Sequence, residues 1–206
     1  MKATLMYLIA LLAPLSAMAT GNTHDTIGDG VYPVDIHSSE ITWKGYKLLG
    51  QHHGTIEMKY GTLEFDNGVL VGGEFTIDMT TIRNGDMAGT ASAAKLEGHL
   101  KSDDFFGVER FPEALFKIKS AIPFGTVGDY KIAGEITIKG ITKPVNFMAH
   151  IDETDAGLAA TAKITIDRSQ FDVRYGSNSF FDNLGDKAIN DNFDLEVSLQ
   201  LNTVQP

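Results

Sequence analysis

The feature that most constrains this chain is a two-residue alternation of apolar and polar side chains that recurs in eight separate runs. Successive side chains of a strand point to opposite faces, so each run carries one face for an interior and one for water. The first run, roughly 40–48, contains Ile41-Thr42-Trp43-Lys44-Gly45. In the second, Ile56, Met58 and Tyr60 alternate with Glu57 and Lys59. Leu63 and Phe65 continue it in the opposite phase, with Gly61 at the switch. A glycine at a phase change predicts a bulge or bend. Asp66-Asn67-Gly68 predicts a hairpin turn. The return strand spans about 69–80, with Phe75, Ile77 and Met79 on one face.

Five further runs follow, near 113–122, 129–139, 144–152, 157–167 and 193–202. Their apolar faces carry Ala114, Phe116 and Ile118; Tyr130, Ile132, Gly134, Ile136 and Ile138; Val145, Phe147, Ala149 and Ile151; Leu158, Ala160, Ala162, Ile164 and Ile166; and Phe193, Leu195, Val197, Leu199 and Leu201. Between the third and fourth runs, Ala91–Leu100 holds helix formers, with Ala93, Leu96 and Leu100 on one stripe. Residues 168–190 read as irregular, with one helical turn near 186–190.

Eight antiparallel strands with one short helix predict an all-β fold. A closed barrel around a lumen and a two-sheet sandwich both satisfy the alternation. The small inward residues Gly134, Ala149, Ala160 and Ala162 leave room inside. Neighbouring Phe, Leu and Trp43 side chains could equally fill that room, and periodicity does not separate the two. An apolar lumen would take an apolar ligand, at ~0.8 kcal/mol per buried CH₂. It would sort chain lengths weakly, at ~1–3 kcal/mol per methylene, so polar groups at its mouth would have to read a head group.

The N-terminus has the layout of a secretory signal: Lys2, an apolar stretch Leu5–Leu15, then Ala17-Met18-Ala19. The stretch is short for a membrane span and Pro14 interrupts it. Residues 1–19 are therefore expected to be cleaved after Ala19, and 20–30 form a polar, Gly-rich leader to a single domain over 31–204. The absence of cysteine excludes a disulfide scaffold, a thiol nucleophile and cysteine-held zinc. The net charge of −10, with no basic run, argues against a nucleic-acid partner.

Candidates for chemistry are few. His52-His53 falls at an expected hairpin, where adjacent side chains diverge and make a poor chelate. The pair reads as exposed loop histidines. His99 reads as a hydrogen-bonding helix residue near the mouth. Asp103-Asp104 and Asp152-Glu153 read as turn formers. Arg168 and Arg174 could hold an anionic or carbonyl head group, or pair with Asp167 and Asp172 to fix their loop. Gly-x-Ser-x-Gly, phosphate-loop and dinucleotide motifs do not occur. No catalytic residue and no metal ligand are assigned.

Three segments carry a resemblance. They are Leu96-Glu97-Gly98-His99-Leu100-Lys101-Ser102-Asp103-Asp104-Phe105-Phe106 with Phe111-Pro112, Gly134–Val145, and Asp167–Ser177. In that order they resemble the YceI-like family of bacterial periplasmic proteins, over about residues 31–202. The resemblance implies a lipocalin-like, extended eight-stranded antiparallel barrel whose lumen holds an amphiphile, a quinone or polyprenyl lipid. It implies a periplasmic carrier or store and no cofactor beyond that ligand. Some relatives accompany membrane b-type cytochromes, so a membrane or a membrane redox protein is an implied transient partner, and a homodimer is compatible. On this reading the apolar tail passes Phe75, Ile77, Phe116, Ile118, Ile136, Phe147, Ala160, Ala162 and Ile164. Trp43, Leu96, Phe105, Phe106 and Phe171 line or gate the mouth. No head-group contact is carried over to Ile41–Tyr46 or Gln51–Thr55, where the chain departs from the family's pattern. Rival readings are an enzyme acting on a lipid or quinone through His99, His150, Arg168 or Arg174, and a stress-response or binding module with a packed core.

Overall fold

The structure is a computed structural model that describes residues 27–154 and 157–202. The expected export signal, most of the leader, Asp155 and Ala156, and residues 203–206, which include the last two of the expected domain, lie outside the described residues.

The strands are β1 (Gly30–Pro33), β2 (Glu40–Lys47), β3 (Gly50–Asp66), β4 (Val69–Asn84), β5 (Glu113–Pro123), β6 (Asp129–Ile138), β7 (Ile141–Thr154), β8 (Gly157–Asp167) and β9 (Ile189–Leu201), with helix α1 (Ala91–Lys101) between β4 and β5. Antiparallel pairing runs β3-β2-β9-β8-β7-β6-β5-β4, and β4 pairs back onto β3. The sheet closes, so the fold is an eight-stranded barrel and not a sandwich. The short ninth strand does not widen it. β1 pairs with the far half of β3, from Gly30 against Phe65 to Pro33 against Thr62. β2 pairs with the near half, from Ile41 against Ile56 to Lys47 against Gly50. The two pieces occupy one position in the ring, and Val34 bridges to Leu201 on its other side.

Local chemistry sets the turns. Asn67 and Gly68 both take positive φ, at 52° and 71°, and Lys139 and Gly140 repeat the geometry at 51° and 73°. That is the turn twist a two-residue hairpin favours. Pro144 sits inside β7 because β7 pairs with β8 only from Ala149 onward, which leaves that stretch of edge without a neighbour. The phase change in β3 comes one residue before Gly61. The register shifts between Met58 and Tyr60, so Tyr60 faces outward, 49% exposed, while Gly61 is buried. A Cβ at Gly61 would meet Met58, Phe75 and Val34, so the glycine admits close packing and the bulge lies beside it.

Helix α1 begins at Thr90, whose hydroxyl accepts from the Ala93 N–H at 3.1 Å. After it, Phe106 N–H bonds the Leu100 carbonyl and Gly107 N–H, at φ 59°, bonds that of Ser102. This turn folds Phe105 and Phe106 back beneath the helix. The helix, the 102–112 segment and the 168–188 segment all stand at one end of the barrel. At the other end Tyr32, Leu63, Phe65, Leu70, Tyr130, Leu158 and Leu201 pack into a closed floor.

Candidate functional site: an apolar cavity with a polar mouth

A cavity of about 340 Å³ runs inside the barrel from the helix end toward that floor. Its wall is the inward face of every strand of the ring. Phe75, Ile77, Phe116, Ile118, Ile136, Phe147, Ala160, Ala162 and Ile164 line its length, and Trp43, Leu96, Phe105 and Phe106 stand toward the mouth. The residues singled out from the sequence thus share one wall, with one exception. Phe171 is 2% exposed and packs in the core without lining the cavity. It closes a 3-10 turn, Arg168–Phe171, capped by the Asp167 side chain and ended by left-handed Asp172, and that turn seats the ring in the core.

The small inward residues divide into two kinds. Ala149, Ala160 and Ala162 face the cavity and leave its middle open. Gly134 does not leave a void: a Cβ there would collide with the Phe116 ring. That space is taken by an aromatic row in which Phe116 stacks on Phe75 at 5.9 Å and contacts Phe147 at 5.5 Å between ring centroids. A second row at the mouth links Phe105, Phe106 and Phe193. His99 joins it edge-on against Phe105 and, at 4.3 Å between centroids, against Tyr175. Of the helix stripe read from the sequence, Leu96 and Leu100 line the cavity, with His99 beside them, while Ala93 is buried without lining it. His99 contributes ring contacts where a hydrogen bond was expected.

Polar lining gathers at the mouth. Tyr46, Lys47, His52, His99, Arg168, Tyr175 and Asn190 belong to strand ends and segments of that end of the barrel. Arg168 is not available to a ligand. Its guanidinium donates to the backbone carbonyls of Asn190, Val173, Tyr175 and Ile189 at 2.9–3.1 Å, and its Nη2 lies 3.3 Å from Asp191. Burial lowers its pKa, with Asp191 and Asp167 opposing. Arg174 binds Asp172, which leaves both arginines structural, although Asp167 caps Ser169 and does not pair with Arg168.

His52 and His53 lie on β3, not in a loop. His52 Nδ1 is 2.8 Å from Asp86, and His53 gives Asp86 its backbone N–H. This constellation was missed because Asp86 is 34 residues away. One signal was legible: His52 shares parity with Ile56 and Met58, and therefore the inward face. His150, the other candidate for lumen chemistry, lies elsewhere. Its ring bonds Asp129 and Asp152 and does not line the cavity. Among the described residues, no group of three or more His, Asp or Glu is placed to hold a metal.

Comparison with known proteins agrees with this architecture. A UPF0312 protein of Shewanella denitrificans is 33% identical over 144 residues, 68% of this chain and 67% of its own. One from Pseudomonas putida is 26% identical over 199 residues, 93% of this chain and 91% of its own. Among solved structures, Burkholderia cenocepacia BcnA superposes with a TM-score of 0.66 at 20% identity, covering 81% of this chain and 98% of that one. A polyisoprenoid-binding domain from Saccharophagus degradans superposes at 0.61 and 11% identity, covering 84% and 98%. These two show a shared fold. The YceI-like domain model matches residues 32–201, nearly all of the barrel, and the chain belongs to that family.

Proposed function

We propose that this protein is a lipid-binding barrel that takes an amphiphilic isoprenoid, of the quinone or polyprenyl type, into its cavity and carries or stores it in the periplasm. The observation that supports this most is the cavity itself: an almost wholly apolar bore, floored at one end, with its polar lining gathered at the other save for Thr161. Such a shape matches a ligand with one long apolar tail and one polar head. The similarity to a polyisoprenoid-binding domain points the same way, and the signal-like N-terminus supports export. Exchange with a membrane would use the open end. There Leu48, Leu49, Phe180 and Phe181 are exposed, Leu49 by 85%. The protein is read as a binding protein, since Arg168, the arginine of the cavity lining, is committed to the fold and the lining histidines adjoin an apolar bore.

Native mass spectrometry and solvent extraction of purified protein test this directly. An isoprenoid should co-purify, or added quinone or polyprenol should be taken up at one molecule per barrel. Absence of both would end the proposal.

A further inference from the structure

His52 stands on the inward face of β3, opposite Gly45 of β2. A Cβ at Gly45 would meet no atom within 4 Å, so open space lies beside the imidazole, inside the mouth. Behind the ring, Asp86 Oδ2 engages Nδ1 at 2.8 Å. Asp86 is itself pinned. Its Oδ1 accepts from the His53 N–H at 2.9 Å and from the Asn84 side-chain amide at 2.6 Å. Burial pushes the Asp86 carboxyl up, but these bonds outweigh it and hold the group far below the usual carboxylate range. Asp86 therefore stays an acceptor. A neutral imidazole that donates Nδ1–H to it presents Nε2 as a lone pair. No protein group among the described residues engages that Nε2.

An anionic head has little to meet here. Arg168 and Arg174 are spent on carbonyls and aspartates. Lys47 is the remaining lysine or arginine of the lining, and the group directly behind His52 is a carboxylate, Asp86. A head group that offers an O–H, by contrast, finds an oriented acceptor and room to reach it.

We propose that His52 and the space at Gly45 form a head-group subsite that selects an isoprenoid bearing a neutral hydroxyl, an alcohol or a hydroquinone, over one bearing a phosphate or a quinone carbonyl. This rests on the lipid-carrier reading and specifies its ligand. Trp43, the chain's one tryptophan, lines the same cavity and reports occupancy by its fluorescence. Delipidated protein is titrated with geranylgeraniol, its methyl ether and geranylgeranyl phosphate. A second arm compares the reduced and oxidised forms of a short-chain ubiquinone. The alcohol should bind about three- to tenfold tighter than the ether or the phosphate, the scale of one net hydrogen bond. The same margin should separate hydroquinone from quinone if that is the source, and the arm that shows it names the ligand. His52→Phe should erase the margin and keep the ether's affinity. Gly45→Val should do the same by filling the space without touching Asp86. Equal binding of alcohol and ether with no hydroquinone preference, a preference for phosphate, or a margin that survives both variants would overturn the subsite. Binding of none of these compounds would instead overturn the lipid-carrier reading.

Discussion

Arg168 shows how a single residue can be both cavity wall and structural tie. Its guanidinium lies 5.3 Å from the Phe105 ring centre and gathers carbonyls from Val173, Tyr175, Ile189 and Asn190, which brings the two ends of the irregular 173–190 segment together. Asp191 Oδ1 is buried with no hydrogen-bond partner and has Arg168 as its ion-pair partner. Arg168→Met should therefore cost about 3–5 kcal/mol, read as a fall in the urea midpoint, because it strands a buried carboxylate and four carbonyls. Arg168→Lys should recover little, since one ammonium cannot span a planar fork of acceptors. His150 supplies a pH-dependent counterpart on the outer wall. Both its ring nitrogens meet carboxylates, Asp129 at 2.6 Å and Asp152 at 2.8 Å, and a ring can donate through both only as the imidazolium. Those hydrogen bonds raise its pKa, that to Asp129 most. A raised folded-state pKa stabilises fully below the unfolded value of about 6.5, and the contribution fades as pH rises through the folded value. Urea midpoints of the wild type and His150→Gln should therefore differ most in acid and converge in alkali; a constant difference would exclude the linkage.

At the scale of elements, the strands of the ring were legible because one burial rule governs each of them. What escaped shows where that rule stops. β1 is four residues long and contains Pro33, too little for a period to register. The first turn of β3 escaped because its inward positions are His52 and Gly54, with no apolar residue to mark a face. That silence and the polar mouth have one cause: the lumen changes character there. Phe171 misled because aromatic identity does not encode where a 3-10 turn will aim it. The bore itself was ambiguous, since small inward residues serve opposite ends: Gly134 admits Phe116, while Ala160 and Ala162 leave space. The two roles separate by substitution. Ala160→Leu with Ala162→Leu should block lipid uptake and leave the urea midpoint nearly unchanged, because the added methyls enter a void. Gly134→Ala should destabilise by about 1–3 kcal/mol, the usual cost of overpacking. A large stability loss from the double leucine variant would mean that the middle of the bore is closed.

For the whole molecule, the balance between barrel and cavity decides stability. Without cysteine no cross-link holds the sheet, and closure removes its edges apart from the stretch of β7 ahead of Ala149. The same closure keeps open a bore whose lining lacks contact partners across the void, which forfeits dispersion energy that a filled interior would gain. The empty barrel is therefore the less stable form, and a bound tail supplies the missing contacts. A ligand held only by the folded state at a hundred times its Kd adds ~2.7 kcal/mol. In a domain of this size each kcal/mol moves the midpoint by ~2–4 °C, so loading should raise Tm by about 5–10 °C. Scanning calorimetry of solvent-extracted protein, before and after incubation with polyprenol or quinone, measures this. The rise should vanish in the Ala160→Leu, Ala162→Leu variant, whose bore is filled by its own side chains. It should persist in Gly45→Val, which alters the mouth and leaves the bore open. An unchanged Tm in the wild type at saturating lipid would mean that the cavity does not hold the tail, however well its shape matches one.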